Sequence, residues 1–202
     1  DFGAVHIQLA KEEEEGSESQ LKLLEAAKTQ LDISNNKTEN AEAHLNLAAI
    51  AAMKYDWNLA YEHVLNAEKL DLSHSKTDMI VSKGTLSIPL GEYDRAMTIL
   101  NTIPNNGWGM YRRGVMKVMM GDLAGAKSEM TSLRKYLAEM NIEEQGGLDY
   151  VHAIISAREG NATGVTSHLK EALSKDDGDL KERLVNDVEF LNYSDAVNAA
   201  MN

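Results

Sequence analysis

The chain has 202 residues, 43% of them hydrophobic, and a formal net charge of −12 at pH 7. This charge argues against nucleic acid and anionic membrane surfaces as partners, because both repel an acidic protein. Cysteine is absent, so disulfides and thiolate chemistry are excluded, and only two prolines interrupt a composition that favours helix. No apolar run approaches the roughly 18–20 residues of a membrane-spanning helix, so we expect no direct membrane insertion.

Residues 1–34 are interpreted as a partial N-terminal helical hairpin. The chain begins inside its first helix without an initiator methionine, which indicates a mature form or an excised fragment. Gly16 should break that helix, and Ser17 is a suitable N-cap for the next one. Apolar residues spaced by three and four predict that the second helix runs to about Leu31. Residues 32–40 are polar and are expected to form a loop.

From residue 41 one pattern recurs four times with the same internal spacing, which is the mark of a repeat architecture. The small residue of each first helix serves as the reference: Ala48, Gly84, Gly114 and Ala153. Seven residues later stand the turn residues Tyr55, Gly91, Gly121 and Gly160. Each is followed by a polar residue, and three of these four are strong N-caps: Asp56, Glu92, Asp122 and Asn161.

Two further columns complete the repeat. Small or β-branched residues stand twelve positions after the reference: Ala60, Ala96, Ala126 and Val165. Larger apolar residues stand sixteen positions after it: Val64, Leu100, Met130 and Leu169. Small residues let two antiparallel helices approach closely, and a turn glycine with positive φ ends the first helix. We expect the larger residues to fill the gap to the next hairpin.

The columns of residues 41–175 resemble those of the tetratricopeptide (TPR) repeat, a unit of 34 residues. The match is best in Ala48, Ala60 and Ala67 of the first copy and is continued by Gly84, Gly91 and Ala96 of the second. The resemblance implies an all-α fold, namely a right-handed superhelical stack of four antiparallel helix hairpins, or TPR-like α-solenoid. Pro104 should cut the second copy short, whereas the helix from Asp122 should run on to about Met140.

Residues 179–202 are expected to form a C-terminal cap that closes the stack, so that residues 1–202 make a single solenoid domain. A charged helix is predicted over residues 180–193, with Ser194 capping a short last helix. The tail is similar to those of TPR proteins of the Bacteroidetes cell envelope. That similarity implies a periplasmic or outer-membrane-associated protein, with the cytoplasm as the alternative location.

No catalytic motif is present, and the histidines lack the paired spacing of metal ligands. We therefore expect no enzyme, no catalytic residue, no metal and no cofactor. In TPR proteins the first helices line a concave groove that binds peptides. Carried onto this sequence, the resemblance places the peptide-binding groove at Asn46, Ser82, Trp108, Tyr111, Arg112, Tyr150 and Ile154.

Some TPR domains clamp a peptide carboxylate with Lys, Asn and Arg side chains in this groove. Asn46 and Arg112 match that pattern, but Glu42 and Trp108 replace its lysines and Ser82 replaces an asparagine. The aromatic residues and the arginine are types that concentrate binding energy in interfaces, although aromatic residues at helical spacing also serve as packing between hairpins.

The expected function is a non-catalytic protein–protein interaction or scaffold module, which binds a peptide or helix of a partner protein in this groove. The alternative is a glycan-binding or glycan-uptake accessory protein of a bacterial envelope. In that alternative the same aromatic rings would act as stacking platforms for a sugar.

Overall fold

The computed structural model describes residues 2–37, 40–70, 76–139, 142–175 and 179–202. Within these ranges the chain is all-helical and its helices pack in neighbouring pairs, as the sequence predicts. The contacts divide the chain into two compact units, Asp1–Thr102 and Ile103–Asn202. None of the helices in the described ranges is long and apolar enough to cross a membrane.

The first unit consists of three helix pairs that follow one another along the chain. Its helices are α1 Phe2–Lys11, α2 Glu18–Lys37, α3 Ala41–Met53, α4 Trp57–Leu70, α5 Lys76–Ser87 and α6 Tyr93–Leu100. Successive pairs also touch, because α2 packs on α3 and α4 packs on α5. One apolar cluster joins α1, α2 and α3, and a second joins α3, α4 and α5. Helix α3 thus contributes to both cores.

The second unit contains two helix pairs and the C-terminal segment. Its elements are α7 Gly107–Met119, α8 Leu123–Leu133, the 3-10 helix Arg134–Glu139, α9 Ile142–Arg158, α10 Ala162–Leu173, α11 Asp179–Asn186, the 3-10 helix Val188–Tyr193 and α12 Ser194–Met201. Helix α8 packs on α9, and α12 packs on α10. The segment after α10 buries Leu184, Phe190 and Val197 against α9 and α10.

The turns between paired helices have the predicted geometry in all four copies. Gly91, Gly121 and Gly160 adopt φ values of 74°, 81° and 76°, and Tyr55 occupies the same left-handed region at 59°. The next residue caps the second helix where its side chain is short. Asp122 and Asn161, for example, accept hydrogen bonds from the backbone N–H three residues later, at 2.9 Å each. The prediction of the turns is confirmed.

The residues sixteen positions after the reference pack within their own hairpin as well as towards the next one. A Cβ added to Gly84 would lie 2.5 Å from Cγ of Leu100, and one added to Gly114 would overlap Cε of Met130. These large side chains therefore lie over the reference glycine of their own hairpin. They also reach the next hairpin, because Met130 shares an apolar cluster with Leu148 of α9, and Val64 of the first copy shares one with Met79 of α5.

Two helix ends differ from the prediction. Helix α2 continues to Lys37 through most of the predicted polar loop, since no Gly or Pro stops it and Lys28 pairs with Asp32 one turn later at 2.5 Å. Helix α8 ends at Leu133 and is followed by a 3-10 helix, whose tighter turn packs Tyr136 and Leu137 onto the core of the second unit. Met140, the predicted end, lies outside the described residues.

The C-terminal segment is interrupted where a continuous helix was predicted. Asp187 is extended, with φ −73° and ψ 119°, and its carboxylate accepts a hydrogen bond from the N–H of Glu189 at 2.9 Å. This break lets Phe190 turn into the core, where it is 2% exposed. Ser194 is the first residue of α12, and the N-cap is Tyr193, which makes no side-chain capping bond. The prediction that Ser194 caps this helix was therefore wrong.

Candidate functional site

Helix α7 presents the aromatic part of the predicted groove. The side chain of Asn106 fixes the start of this helix by accepting a hydrogen bond from the N–H of Gly109 at 2.8 Å. Trp108 and Tyr111 are three residues apart and so share one side of the helix. Their ring centroids are 6.4 Å apart, and the rings are nearly perpendicular at 88°. Both side chains are half-buried.

Arg112 joins this pair to form what we call the α7 surface, made of Trp108, Tyr111 and Arg112. Its guanidinium carbon lies 5.5 Å from the centroid of the Tyr111 ring, within the range of a cation–π contact. The Nε atom of Arg112 is buried and has no hydrogen-bond partner among the described residues. No carboxylate of the described residues forms an ion pair with Arg112, although the whole chain carries 32 acidic residues. Among the described residues, the positive charge of the α7 surface therefore has no carboxylate partner.

The neighbouring Arg113 has a structural role. It is only 3% exposed, and its Nε and Nη2 donate to the two carboxylate oxygens of Glu129 at 3.0 and 3.2 Å. Nη2 also donates to the carbonyl oxygen of Pro104 at 2.9 Å. Lys117 donates to the same carboxylate at 3.0 Å. Arg113 thus joins α7, α8 and the segment before α7, and it is not available to a ligand.

Tyr150 and Ile154 lie on α9, and the structure places Tyr150 against the C-terminal segment. The Tyr150 hydroxyl donates a hydrogen bond to the Asp187 carboxylate, and its ring meets the edge of Phe190 at a centroid distance of 5.8 Å. Ile154 packs against both apolar clusters of the second unit. Both side chains are half-buried.

Asn46 and Ser82, the remaining predicted groove residues, belong to α3 and α5 of the first unit and are also half-buried. Of the seven predicted residues, three thus lie next to one another in the structure, namely Trp108, Tyr111 and Arg112.

Two histidine pairs were not predicted from the sequence. His44 on α3 faces His63 on α4, with their Nδ1 atoms 3.0 Å apart. His152 on α9 stacks on His168 on α10, with ring centroids 5.1 Å apart and an angle of 22° between the planes. Each pair links the two helices of one hairpin. The sequence did contain a signal for these pairs, because His63 and His168 both stand fifteen residues after the reference residue of their repeat.

The second pair is strongly biased towards the neutral form. Burial lowers the pKa of His152 to about 4, and the nearby His168 and Arg134 add to this effect, whereas Asp149 opposes it. Burial lowers the pKa of His168 as well. His152 is 7% exposed, and its Nε2 has no hydrogen-bond partner in the described part of the chain.

The α7 surface offers groups that can contact a ligand. Aromatic faces and a guanidinium recognise apolar side chains and carboxylates. Across the described ranges, no group of three or more His, Asp or Glu side chains is arranged to hold a metal ion. No protein-family model matches the chain, and no curated protein matches it.

Proposed function

We propose that this chain is a non-catalytic interaction module of the TPR-like type, which binds a peptide or helix of a partner protein at the α7 surface. The neighbouring helix pairs and the regular turns support the architecture, because such arrays leave the faces of successive helices for binding. The proposal extends to the right-handed superhelical stack and to groove contributions from Tyr150 and Ile154 of the same unit.

The observation that carries the proposal is the guanidinium of Arg112, which lies over the Tyr111 ring of the Trp108–Tyr111 pair and has no carboxylate partner among the described residues. Arg112 as a whole is only half-buried, so its guanidinium can donate charge-assisted hydrogen bonds to a ligand that supplies an acceptor. A carboxylate is the natural acceptor, because it can take two parallel hydrogen bonds from a guanidinium. The partner segment therefore carries an acidic side chain or a terminal carboxylate next to an apolar side chain that packs on Trp108.

Selection from a displayed random-peptide library tests this directly, because the library samples peptide sequences without a chosen partner. We expect the selected peptides to be enriched in a carboxylate next to an aromatic or aliphatic residue. Their affinity should fall by about 30-fold or more in Trp108→Ala/Tyr111→Ala, the loss typical of an interface hot spot of at least about 2 kcal/mol. Arg112→Gln should abolish the preference for acidic peptides.

The chain supplies a matched control in the first unit. Tyr55 and Trp57 form another edge-to-face pair, with centroids 5.6 Å apart. Tyr55→Ala/Trp57→Ala removes the same two ring types and should leave peptide binding unchanged, once circular dichroism has confirmed that both double variants keep their helicity. Equal binding by the wild type and the Trp108→Ala/Tyr111→Ala variant would contradict the assignment of the site.

A glycan is the alternative ligand. Sugars stack on an open aromatic face, whereas Trp108 and Tyr111 meet edge to face and are both half-buried. This packing favours a peptide over a sugar. Binding to a glycan array that is lost in Trp108→Ala/Tyr111→Ala, without any selected peptide, would replace the peptide proposal with the glycan one.

A further inference from the structure

His44 and His63 hold two imidazole nitrogens close together in the first unit. The Nδ1 atoms are 3.0 Å apart, and the ring centroids are 5.2 Å apart with 37° between the planes. His44 is 7% exposed and His63 is half-buried, so the pair can be approached from the His63 side. The two rings project from different helices of one hairpin, and the buried Ala48 and Ala60 of the same two helices fix its packing.

The surroundings of the pair contain both acidic and basic groups. Asp32 and Lys28 of α2 lie near His63, as does Glu62 of α4. Burial lowers the pKa of His63, and His44 lowers it further, whereas Glu62 and Asp32 act in the opposite direction. The neutral imidazole is the form that ligates metals. Glu62 favours a cation at this position, whereas Asp32 is already paired with Lys28 at 2.5 Å.

The distance between the two nitrogens suits one ion. Imidazole nitrogens bind first-row divalent ions at about 2.0–2.1 Å. Two such bonds at a right angle place the nitrogens about 2.9 Å apart, and tetrahedral bonds place them about 3.4 Å apart. The observed 3.0 Å is close to the right-angled arrangement. Square-planar or tetragonal coordination is the preference of Cu²⁺ and Ni²⁺, and Cu²⁺ is the tightest-binding ion of the series.

We propose that His44 and His63 form a two-histidine clasp for a divalent transition-metal ion, with Cu²⁺ preferred and water in the remaining coordination positions. In the metal-free pair, the short distance between the nitrogens is that of an N–H···N hydrogen bond. When the ion binds, the Nδ1 proton moves through solvent to Nε2 of the same ring, so that both Nδ1 lone pairs face the ion. Because binding then links α3 to α4 by two coordinate bonds, it stabilises the folded first unit.

The second histidine pair provides an internal control. His152 and His168 are stacked at 22° with ring centroids 5.1 Å apart, and Nε2 of His152 has no hydrogen-bond partner in the described part of the chain, so this atom does not meet a nitrogen of the other ring. This pair has the same residue types on the two helices of another hairpin, but it lacks the geometry of a chelate. It should not bind the ion.

Calorimetric titration of the full chain, without a histidine tag, with CuSO₄ near neutral pH tests the proposal. We expect one equivalent to bind in the wild type and in His168→Gln, and to bind at least about tenfold more weakly in His63→Gln, because one of two ligands is lost. ZnCl₂ should bind more weakly than CuSO₄. Unchanged affinity in His63→Gln would overturn the proposal.

Electron paramagnetic resonance of the copper-loaded wild type makes the test independent of how well the variants fold. Coupling of the copper electron to two imidazole nitrogens is the expected result. A spectrum with one coupled imidazole or none would overturn the proposal even if copper binds to the chain elsewhere.

Discussion

Replacing Glu129 by glutamine is expected to destabilise the second unit. The side chain of Arg113 is 4% exposed, and both carboxylate oxygens of Glu129 accept its hydrogen bonds. Burial alone would raise the pKa of Glu129, but hydrogen bonds from Arg113 and Lys117 outweigh it and lower this pKa. The carboxylate is thus ionised in the folded state, and Glu129→Gln leaves a buried guanidinium without a counter-charge.

The size of the effect follows from the contacts that remain. Removing one partner of a buried ion pair costs about 3–5 kcal/mol. Glutamine keeps one acceptor oxygen, and the carbonyl oxygens of Ile103 and Pro104 still accept from Arg113. We therefore expect a loss of about 2–3 kcal/mol, at or just below the lower end of that range. Arg113→Met/Glu129→Leu, which removes both charges, should lose less than Glu129→Gln.

The two tryptophans allow each unit to be followed separately in urea. Trp57 lies in the first unit and Trp108 in the second, and the chain has no other tryptophan. In a Trp57→Phe background, the fluorescence of Trp108 reports the unfolding of the second unit alone. A loss below about 1 kcal/mol for Glu129→Gln would refute the reasoning, since it is no more than an exposed ion pair contributes.

Two further predictions concern the histidine stack and the reference glycines. The unfolded chain protonates His152 near pH 6.5, whereas the folded chain protonates it only near pH 4. Lowering the pH across this interval should therefore destabilise the second unit by at most about 3 kcal/mol. His152→Gln should make the urea midpoint of this unit depend less on pH. Gly84→Ala should destabilise the first unit by about 1–3 kcal/mol, because its Cβ would meet the branch point of Leu100, whereas Gly114→Ala meets only the flexible end of Met130 and should cost less. Fluorescence of Trp57 measures the loss in Gly84→Ala, and fluorescence of Trp108 measures the loss in Gly114→Ala. A larger loss in Gly114→Ala than in Gly84→Ala would contradict the packing described.

The hairpin turns could be predicted from the sequence because their causes are local. A positive φ favours Gly at the turn, and a short polar side chain caps a helix within three residues of itself. Gly121 and Asp122 illustrate both effects in adjacent positions. Tyr55 stands at the same turn position and also has a positive φ, although its side chain disfavours it. The flanking helices determine where the chain must turn.

The wrong predictions concern positions where distant packing decides. Nothing in the sequence near Asp187 announces a break, yet the break lets Phe190 reach a core formed by α9, α10 and α12. The end of α8 is similar, because Tyr136 and Leu137 reach the core only through the tighter 3-10 turn. These contacts join residues far apart in the chain, and local helix propensities differ by too little to outweigh them.

Adjacent arginines in the candidate site illustrate a further limit of sequence reasoning. Arg112 and Arg113 have the same chemistry, but a step of one residue turns a side chain by about 100° around the helix. Arg112 therefore lies over Tyr111, and Arg113 points to Glu129. The spacing of Trp108 and Tyr111 predicted that they share a face. The different roles of the two arginines could be assigned only once the position of α8 was known.

The repeat register nevertheless indicates which of the two arginines faces the second helix of its hairpin. Arg113 stands one residue before its reference and Glu129 fifteen after it, and His152 and His168 occupy the same two positions of another hairpin. These positions face each other across a hairpin, so an ion pair and a neutral histidine pair are alternative occupants of one place.

The other two hairpins are consistent with this geometry. His63 stands at plus fifteen, but the residue one before its reference is Leu47, and the contact shifts by one helical turn to His44. In the second copy plus fifteen is Ile99, which offers no polar partner, and Lys83 turns to Glu68 of α4 at 2.6 Å. The small residues of the repeat thus fix which positions oppose each other, and the polar residues at those positions determine whether the hairpin carries charge, a titratable pair or a site for an ion.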